Sequence, residues 1–307
     1  MTALVTGGAG FIGSNLVRAL LERGEEVRVL DNFSTGSRAN LQGLEVEIVE
    51  GELRSYERVH NAVRGTEVVY HLGALGSVPR SVQDPLTSNA VNVEGTLNVL
   101  LAARDEGVRR VVFSSSSSVY GSSHERPTRE ASPPDPLSPY GVAKLAAERY
   151  CVSFSRIYES FETVVLRYFQ VFGPRQNPFS QYAAVVPLFV TAIANGRPVS
   201  IHGDGEQSRD FTYVANVVDA TIRAADAKLA NGRIFNVAAG APVTVNELAD
   251  AIGRTLGKPV EREFAAPRPG DIRDSWADLS EARAALAYEP RVGLEDGLRA
   301  TADFLLG

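Results

Sequence analysis

The first thirty-one residues constrain the whole chain. TALVT at 2–6 is an apolar β run, GGAGFIG at 7–13 a glycine turn, SNLVRALLERG a helix-like stretch, and EVRVLD at 26–31 a second apolar run. Gly7, Gly10 and Gly13 allow a tight turn and a close approach of backbone to a diphosphate. The helix opening at Phe11 and Ile12 aims its free amides and the positive end of its dipole at the same place. Asp31 ends the second strand eighteen residues after Gly13, where a carboxylate can hold both hydroxyls of an adenosine ribose. It would repel a 2′-phosphate, and no arginine follows it directly, so NAD is expected rather than NADP.

The alternation continues. EVEIVEG at 45–51 reads as a strand, SYERVHNAVRG at 55–65 as a helix, and EVVYHLGAL at 67–75 as a strand running into a loop. A long helix is expected over 86–107, then the strand RRVVFSS at 109–115, a helix after Tyr140, and a strand in ETVVLRYFQVFG at 162–173. Continuous apolar β runs between helices imply a parallel sheet covered on both faces. The expected fold is α/β: a Rossmann-type doubly wound sheet of about seven strands. Ligands of such sheets bind at the carboxyl ends of the strands. Gly7–Gly13, Asp31, Glu52-Leu53, the loop at 72–77, the serines at 114–118 and Phe169-Gln170 all fall there.

After residue 173 proline and polar turns break the pattern, and arginines 175, 209, 268 and 273 sit in loops. This half reads as a smaller, mostly C-terminal α/β substrate-binding lobe. The expected division gives 1–170, with a return segment near 210–240, to the NAD-binding domain, and 171–209 with 241–307 to the lobe. Of 307 residues 44% are hydrophobic and 22% charged, ordinary for a soluble globular protein. A net charge of −6 argues against non-specific nucleic-acid binding. Cys151 is the only cysteine and the four histidines show no ligand spacing, so neither a disulfide nor a metal site is expected. There is no leader-like segment and no apolar run of membrane length, so a cytoplasmic location is expected.

The chemistry is expected between Ser114 and Lys144. Tyr140 and Lys144 are four apart at the start of a helix, on one face and one turn apart. An ammonium near a phenol favours the phenolate, and a phenol that can ionise near neutral pH is a usable general base. Serine hydroxyls at the end of the 109–115 strand can reach a substrate oxygen without carrying charge. With a dinucleotide, the set suggests hydride transfer at a carbinol: Tyr140 takes the proton, Ser116 holds the oxygen, and Lys144 binds the nicotinamide ribose.

GGAGFIG, Asp31-Asn32, SSSSSVYG, SPYGVAK, RYFQVFG and PRPGD, in that order, resemble the extended short-chain dehydrogenase/reductase superfamily. Within it the chain resembles UDP-hexose 4-epimerases over essentially its whole length. The resemblance implies Ser116, Tyr140 and Lys144 as the catalytic residues. It implies cofactor contacts at Gly7, Gly10, Phe11, Ile12, Gly13, Asp31, Asn32, Phe33, Ser34, Thr35, Gly36, Glu52, Leu53, Leu72, Gly73, Ala74, Leu75 and Phe169. Asn92 matches a position that either touches the cofactor or braces the 72–76 loop. Diphosphate contacts fall on Arg209 and Arg268, both suited to bidentate phosphate recognition, and Asp271 fits a uridine ribose.

Sugar-pocket positions fall on Gly76, Ser77, Ser117, Gln170, Gln176, Ala184 and Val185. Ser275, seven after Arg268, stands at a gate where a small residue leaves room for an N-acetyl group. These segments look closest to the UDP-N-acetylhexosamine branch, with one departure: the branch carries asparagine where Gln170 stands. The implied activity is oxidation at C4, turning of the keto-sugar and return of the hydride to its other face, with NAD regenerated and kept bound. A homodimer through the helices at 86–107 and 141–157 is implied as well.

Related dehydratases and decarboxylases place acidic residues where this chain has Ser117 and Ser118, so elimination lacks its acid. A uronic-acid 4-epimerase stays open. So does, more remotely, a non-catalytic NAD(H)-sensing protein.

Overall fold

The computed structural model describes residues 2–122, 125–178, 184–267 and 272–307. Six strands alternate with helices along the first half: β1 (Thr2–Thr6), β2 (Glu26–Asp31), β3 (Glu47–Glu50), β4 (Val68–His71), β5 (Arg110–Ser116) and β6 (Glu162–Tyr168). A seventh strand, Arg233–Val237, lies at the edge beside β6. From that edge the order is β6, β5, β4, β1, β2, β3, and every pairing is parallel. The crossing from β3 back past β1 to β4 leaves a crevice at the carboxyl ends, the position at which such sheets bind ligands.

The apolar runs are continuous because both faces of each strand are covered. Ala3 and Val5 of β1 face a core shared with helix α1 (Phe11–Glu22) and helix Val214–Asp226. Leu4 faces the opposite core, with helix α2 (Tyr56–Val63) and helices Gly95–Asp105 and Pro139–Ile157. Tyr70 and Val69 divide likewise in β4, as do Leu166 and Val165 in β6. Each such fully buried valine or leucine contributes about 2 kcal/mol.

A third apolar cluster lies in the later half, where Phe172, Phe189, Val190, Leu248, Ile252 and Leu298 meet. Its helix Val245–Leu256 starts on a capping box between Thr244 and Glu247 and ends at Gly257, φ +62°. Strand Ser208–Arg209 lies between Val243–Thr244 and Asp274–Ser275.

Two elements differ from expectation. The strand read at 45–51 is only Glu47–Glu50, paired to β2 alone and carrying a charge at each end. The helix expected over 86–107 is Pro85–Asn89 and Gly95–Asp105 joined by a π turn at Ala90–Glu94. That turn widens the helix where Asn92 reaches sideways to the loop after β4. Among the described residues no helix is long and apolar enough to cross a membrane.

Candidate active site

The glycine turn between β1 and α1 is closed on itself. Gly7 has φ +69° and donates its N–H to Leu30 O at 2.8 Å. A Cβ on Gly7 would stand 2.7 Å from Gly73 Cα, and one on Gly13 only 2.1 Å from Gly7 O. Gly10 precedes α1, and no side chain caps that helix, so its first amides face the crevice without a side-chain acceptor. An uncapped helix start over a floor that any Cβ would fill fits a diphosphate.

Asp31 is buried at the end of β2. Its Oδ2 accepts from Ala9 N at 2.9 Å and its Oδ1 from Phe33 N at 2.8 Å, so the carboxylate ties the glycine turn to the next loop. In that loop Asn32 Oδ1 accepts from Ser34 N, Thr35 is exposed, and Gly36 packs against Ala9 too closely for a Cβ. Asn32 also reaches Glu52, which pairs with Arg54. Leu53 abuts Gly73.

The loop after β4 carries Leu72, Gly73, Ala74, Leu75, Gly76 and Ser77. Thr6 Oγ1 accepts from Gly73 N at 3.1 Å and meets His71 Nδ1 at 2.7 Å. Burial pulls His71 down to about 3, so its ring is neutral. Asn92 accepts from Leu75 N at 2.8 Å and donates to Leu75 O at 3.2 Å. These two bonds brace the loop after β4 against the helix that carries Asn92.

β5 ends at Ser116, whose Oγ accepts from Ser118 N at 3.1 Å. Ser138 starts the next helix by accepting from Gly141 N, with Pro139 in its first turn. Tyr140 N donates to Ser81 Oγ at 3.0 Å, fixing the helix start beside the loop after β4. Ser116, Tyr140 and Lys144 come together over the strand ends. The Ser116 side chain acts on the Tyr140 phenol, favouring its ionised form. Lys144, buried, donates from Nζ to Ser114 O at 2.7 Å and lies 4.8 Å above the Phe113 ring. Burial pulls this ammonium down to about 8.

Tyr140 departs from expectation. Its phenol is raised above the ordinary value by burial, and only the bond to Ser116 works the other way. The ammonium that was to lower it is turned onto the Ser114 carbonyl.

The remaining predicted positions lie on several separate elements. Phe169 is buried against Tyr120, whereas Gln170 is exposed. Ser117 opens the short turn after Ser116, and Gly76 and Ser77 lead into the helix Val78–Gln83. Arg209 and Ser275 are register partners on adjacent parallel strands. Arg209 donates to Ser208 O at 2.8 Å and to Arg273 O at 3.1 Å. Gln176 donates to Val171 O at 3.2 Å and keeps a buried Oε1 without a partner among the described residues. Ala184 and Val185 start the helix Val185–Ala194. Arg268 and Asp271 lie outside the described residues.

Three contributors escaped the sequence. Arg126 donates to Asp274 O at 2.7 Å and lies close enough to Arg209 for the two charges to oppose each other. Asp210, fully buried, accepts from Ala239, Gly240 and Ala277 and ties the end of the seventh strand to the later half. Ser81 holds the Tyr140 helix start. All three act on residues distant in sequence, so no local pattern marks them.

Residues 3–238 match the NAD dependent epimerase/dehydratase family. A UDP-glucose 4-epimerase of Mycolicibacterium smegmatis is 41% identical, over 99% of this chain and 98% of that one. The crystal structure of a Thermotoga maritima UDP-glucose 4-epimerase with UDP-glucose superposes with a TM-score of 0.95 at 38% identity, covering 99% of this chain and 98% of that one. A UDP-N-acetylglucosamine 4-epimerase of Methanobrevibacter ruminantium, in complex with UDP-N-acetylmuramic acid, gives 0.94 at 38%, covering 99% and 98%. With its glycine turn, acid-terminated second strand and serine–tyrosine–lysine group in place, the chain belongs to the NAD dependent epimerase/dehydratase family.

Proposed function

We propose that the protein is an NAD-dependent 4-epimerase of UDP-hexoses, acting on UDP-N-acetylglucosamine/UDP-N-acetylgalactosamine and on UDP-glucose/UDP-galactose. The observation that carries the reading is Ser116, Tyr140 and Lys144 gathered over strand ends beside a glycine cradle, with no carboxylate at Ser117 or Ser118 to drive elimination.

Gly7, Gly10 and Gly13 with the start of α1 would hold the NAD diphosphate, and Asp31 the adenosine ribose. Bound NAD supplies the hydride acceptor for oxidation at C4 and the donor for re-reduction. Ser116 holds the C4 oxygen. Tyr140 takes the proton of that hydroxyl and returns it when the opposite face is reduced. Lys144 has two further N–H donors beyond the one on Ser114, which suits a ribose. Arg209 binds the diphosphate, helped by the neighbouring Arg126. Ser275, side by side with Arg209, is the small residue that admits an N-acetyl group.

The test is incubation with UDP-glucose, UDP-N-acetylglucosamine and UDP-glucuronate in turn, without added NAD. C4 epimers of the first two are expected, and none from any of the three would refute the proposal. Ser275→Tyr should lose activity on the acetylated sugar about 100-fold while keeping that on UDP-glucose within a few-fold. Equal losses on both would remove Ser275 as the gate.

We also propose a homodimer through the helices spanning 85–105 and 139–157. Leu86 is 82% exposed, and Val142, Tyr150 and Ile157 are exposed on the second helix. Sedimentation at micromolar concentration should give twice the chain mass, and Leu86→Glu with Val142→Glu should give the monomer.

A further inference from the structure

Beneath the serine run lies a buried charged group that the proposed mechanism does not use. Glu148 is one turn beyond Lys144 on the same helix and has no exposed surface. Its Oε1 accepts from Ser115 Oγ at 2.5 Å and from Arg167 Nε at 2.9 Å, and its Oε2 accepts from Arg167 at 2.8 Å. Arg167 is buried on β6, stacks on the Tyr120 ring at 4.6 Å and donates to Glu130 O. Ser115 therefore points away from the crevice and is gripped from below. On either side of it stand Ser114, whose carbonyl receives Lys144, and Ser116, whose side chain acts on the Tyr140 phenol.

We propose that Glu148 is a positioning residue for the reaction: clamped by Arg167, it fixes the end of β5 through Ser115 and supplies the counter-charge that keeps Lys144 an ammonium. The proposal rests on the epimerase reading for its link to turnover, but the charge linkage stands or falls separately. A buried carboxylate with its own guanidinium is no requirement for stability, since an apolar pair of like size holds such a place equally well. Its placement one turn from Lys144 gives it a different use.

The other groups facing Lys144 cannot take its place. On β5 there are the Phe113 ring and the Ser114 carbonyl. On β4 there is His71, which burial keeps neutral. On its own helix there is Cys151, which burial keeps as the thiol. Among the described residues Glu148 is thus the one carboxylate acting on Lys144, and Arg167 is the cation paired with it.

The chain has only three lysines, 144, 228 and 258, so the NAD-bound protein labelled with 13C at lysine Cε gives three resolvable signals. The signal absent from Lys144→Met assigns Lys144. In Glu148→Gln its titration midpoint should fall by about one pH unit, because a nearby anion is removed and Arg167 is left uncompensated. Glu148→Gln/Arg167→Met removes both charges and keeps the packing. Its midpoint should lie between that of the single variant and the wild type, since Glu148 is the nearer charge.

The alkaline fall of the epimerisation rate should move to lower pH in the same order, and Ser115→Ala should lower kcat about 10-fold with KM unchanged. A Lys144 midpoint in the double variant equal to the wild type overturns the proposal even if the single variant does not fold. Midpoints that move as expected in a wild type that epimerises no UDP-sugar would leave the linkage standing and remove the epimerase reading.

Discussion

Tyr140→Phe lowers kcat by a factor of about 10²–10⁴ and leaves bound NAD unchanged. The substitution removes one oxygen. The ring keeps its volume, the backbone N–H of residue 140 still reaches Ser81, and the cap of Ser138 on Gly141 is untouched. The lost hydroxyl is the one on which the Ser116 side chain acts, on β5 rather than in the glycine cradle. The measurements are initial rates of C4 epimer formation and the NAD released on denaturation. Near-wild-type turnover would take the base away from Tyr140, and a parallel loss of NAD would make the residue a cofactor contact instead.

Gly13→Ala should strip the protein of NAD and cost about 2–3 kcal/mol of stability. In the interior of an exposed helix the same change would gain nearly 1 kcal/mol. Here the added carbon would lie 2.1 Å from Gly7 O and 2.8 Å from Gly8 Cα, contacts with backbone that cannot rotate aside. The helix must retreat from β1, and the floor on which a diphosphate would rest opens with it. Gly293→Ala is the control: φ is −74° there and nothing lies within 4 Å of the new carbon. NAD content should fall only in the first variant, and Tm should fall further there than in the second, which loses only an N-cap glycine. Full NAD content in Gly13→Ala would show that the turn tolerates a wider gap than its geometry allows.

Much of this was legible because the determinants are local. Three glycines at fixed spacing, an apolar run on each side and an acid at the end of the second run specify a strand, turn, helix and strand without help from distant residues. The serine–tyrosine–lysine set was legible for a related reason: Ser138, Pro139 and Gly141 write the helix start into the sequence, so the spacing of Tyr140 and Lys144 could be converted into a shared face.

The helix over 86–107 was misread as uninterrupted because the π turn at Ala90–Glu94 answers to Leu75, fifteen or more residues upstream. The Tyr140 environment was misread for the same kind of reason. Spacing along one helix says that an ammonium is near, but not that Ser114, on a different element, holds it. Glu148 looks in the sequence like a solvated charge on an amphipathic helix; only the arrival of Arg167 from β6 shows it to be interior.

The strand Arg233–Val237 completes the sheet against β6, about seventy residues after β6 is made. A ribosome emitting this chain therefore releases six of seven strands with β6 as a bare, apolar edge, its N–H and C=O groups unpaired. Val164, Val165 and Leu166 make that edge a template for a neighbouring nascent chain. The hazard persists for several seconds at ordinary rates of synthesis. Truncations ending before residue 233 should aggregate faster than those ending after 240, in which β6 is paired. The later half is thus translated against a sheet that Arg233–Val237 has yet to finish.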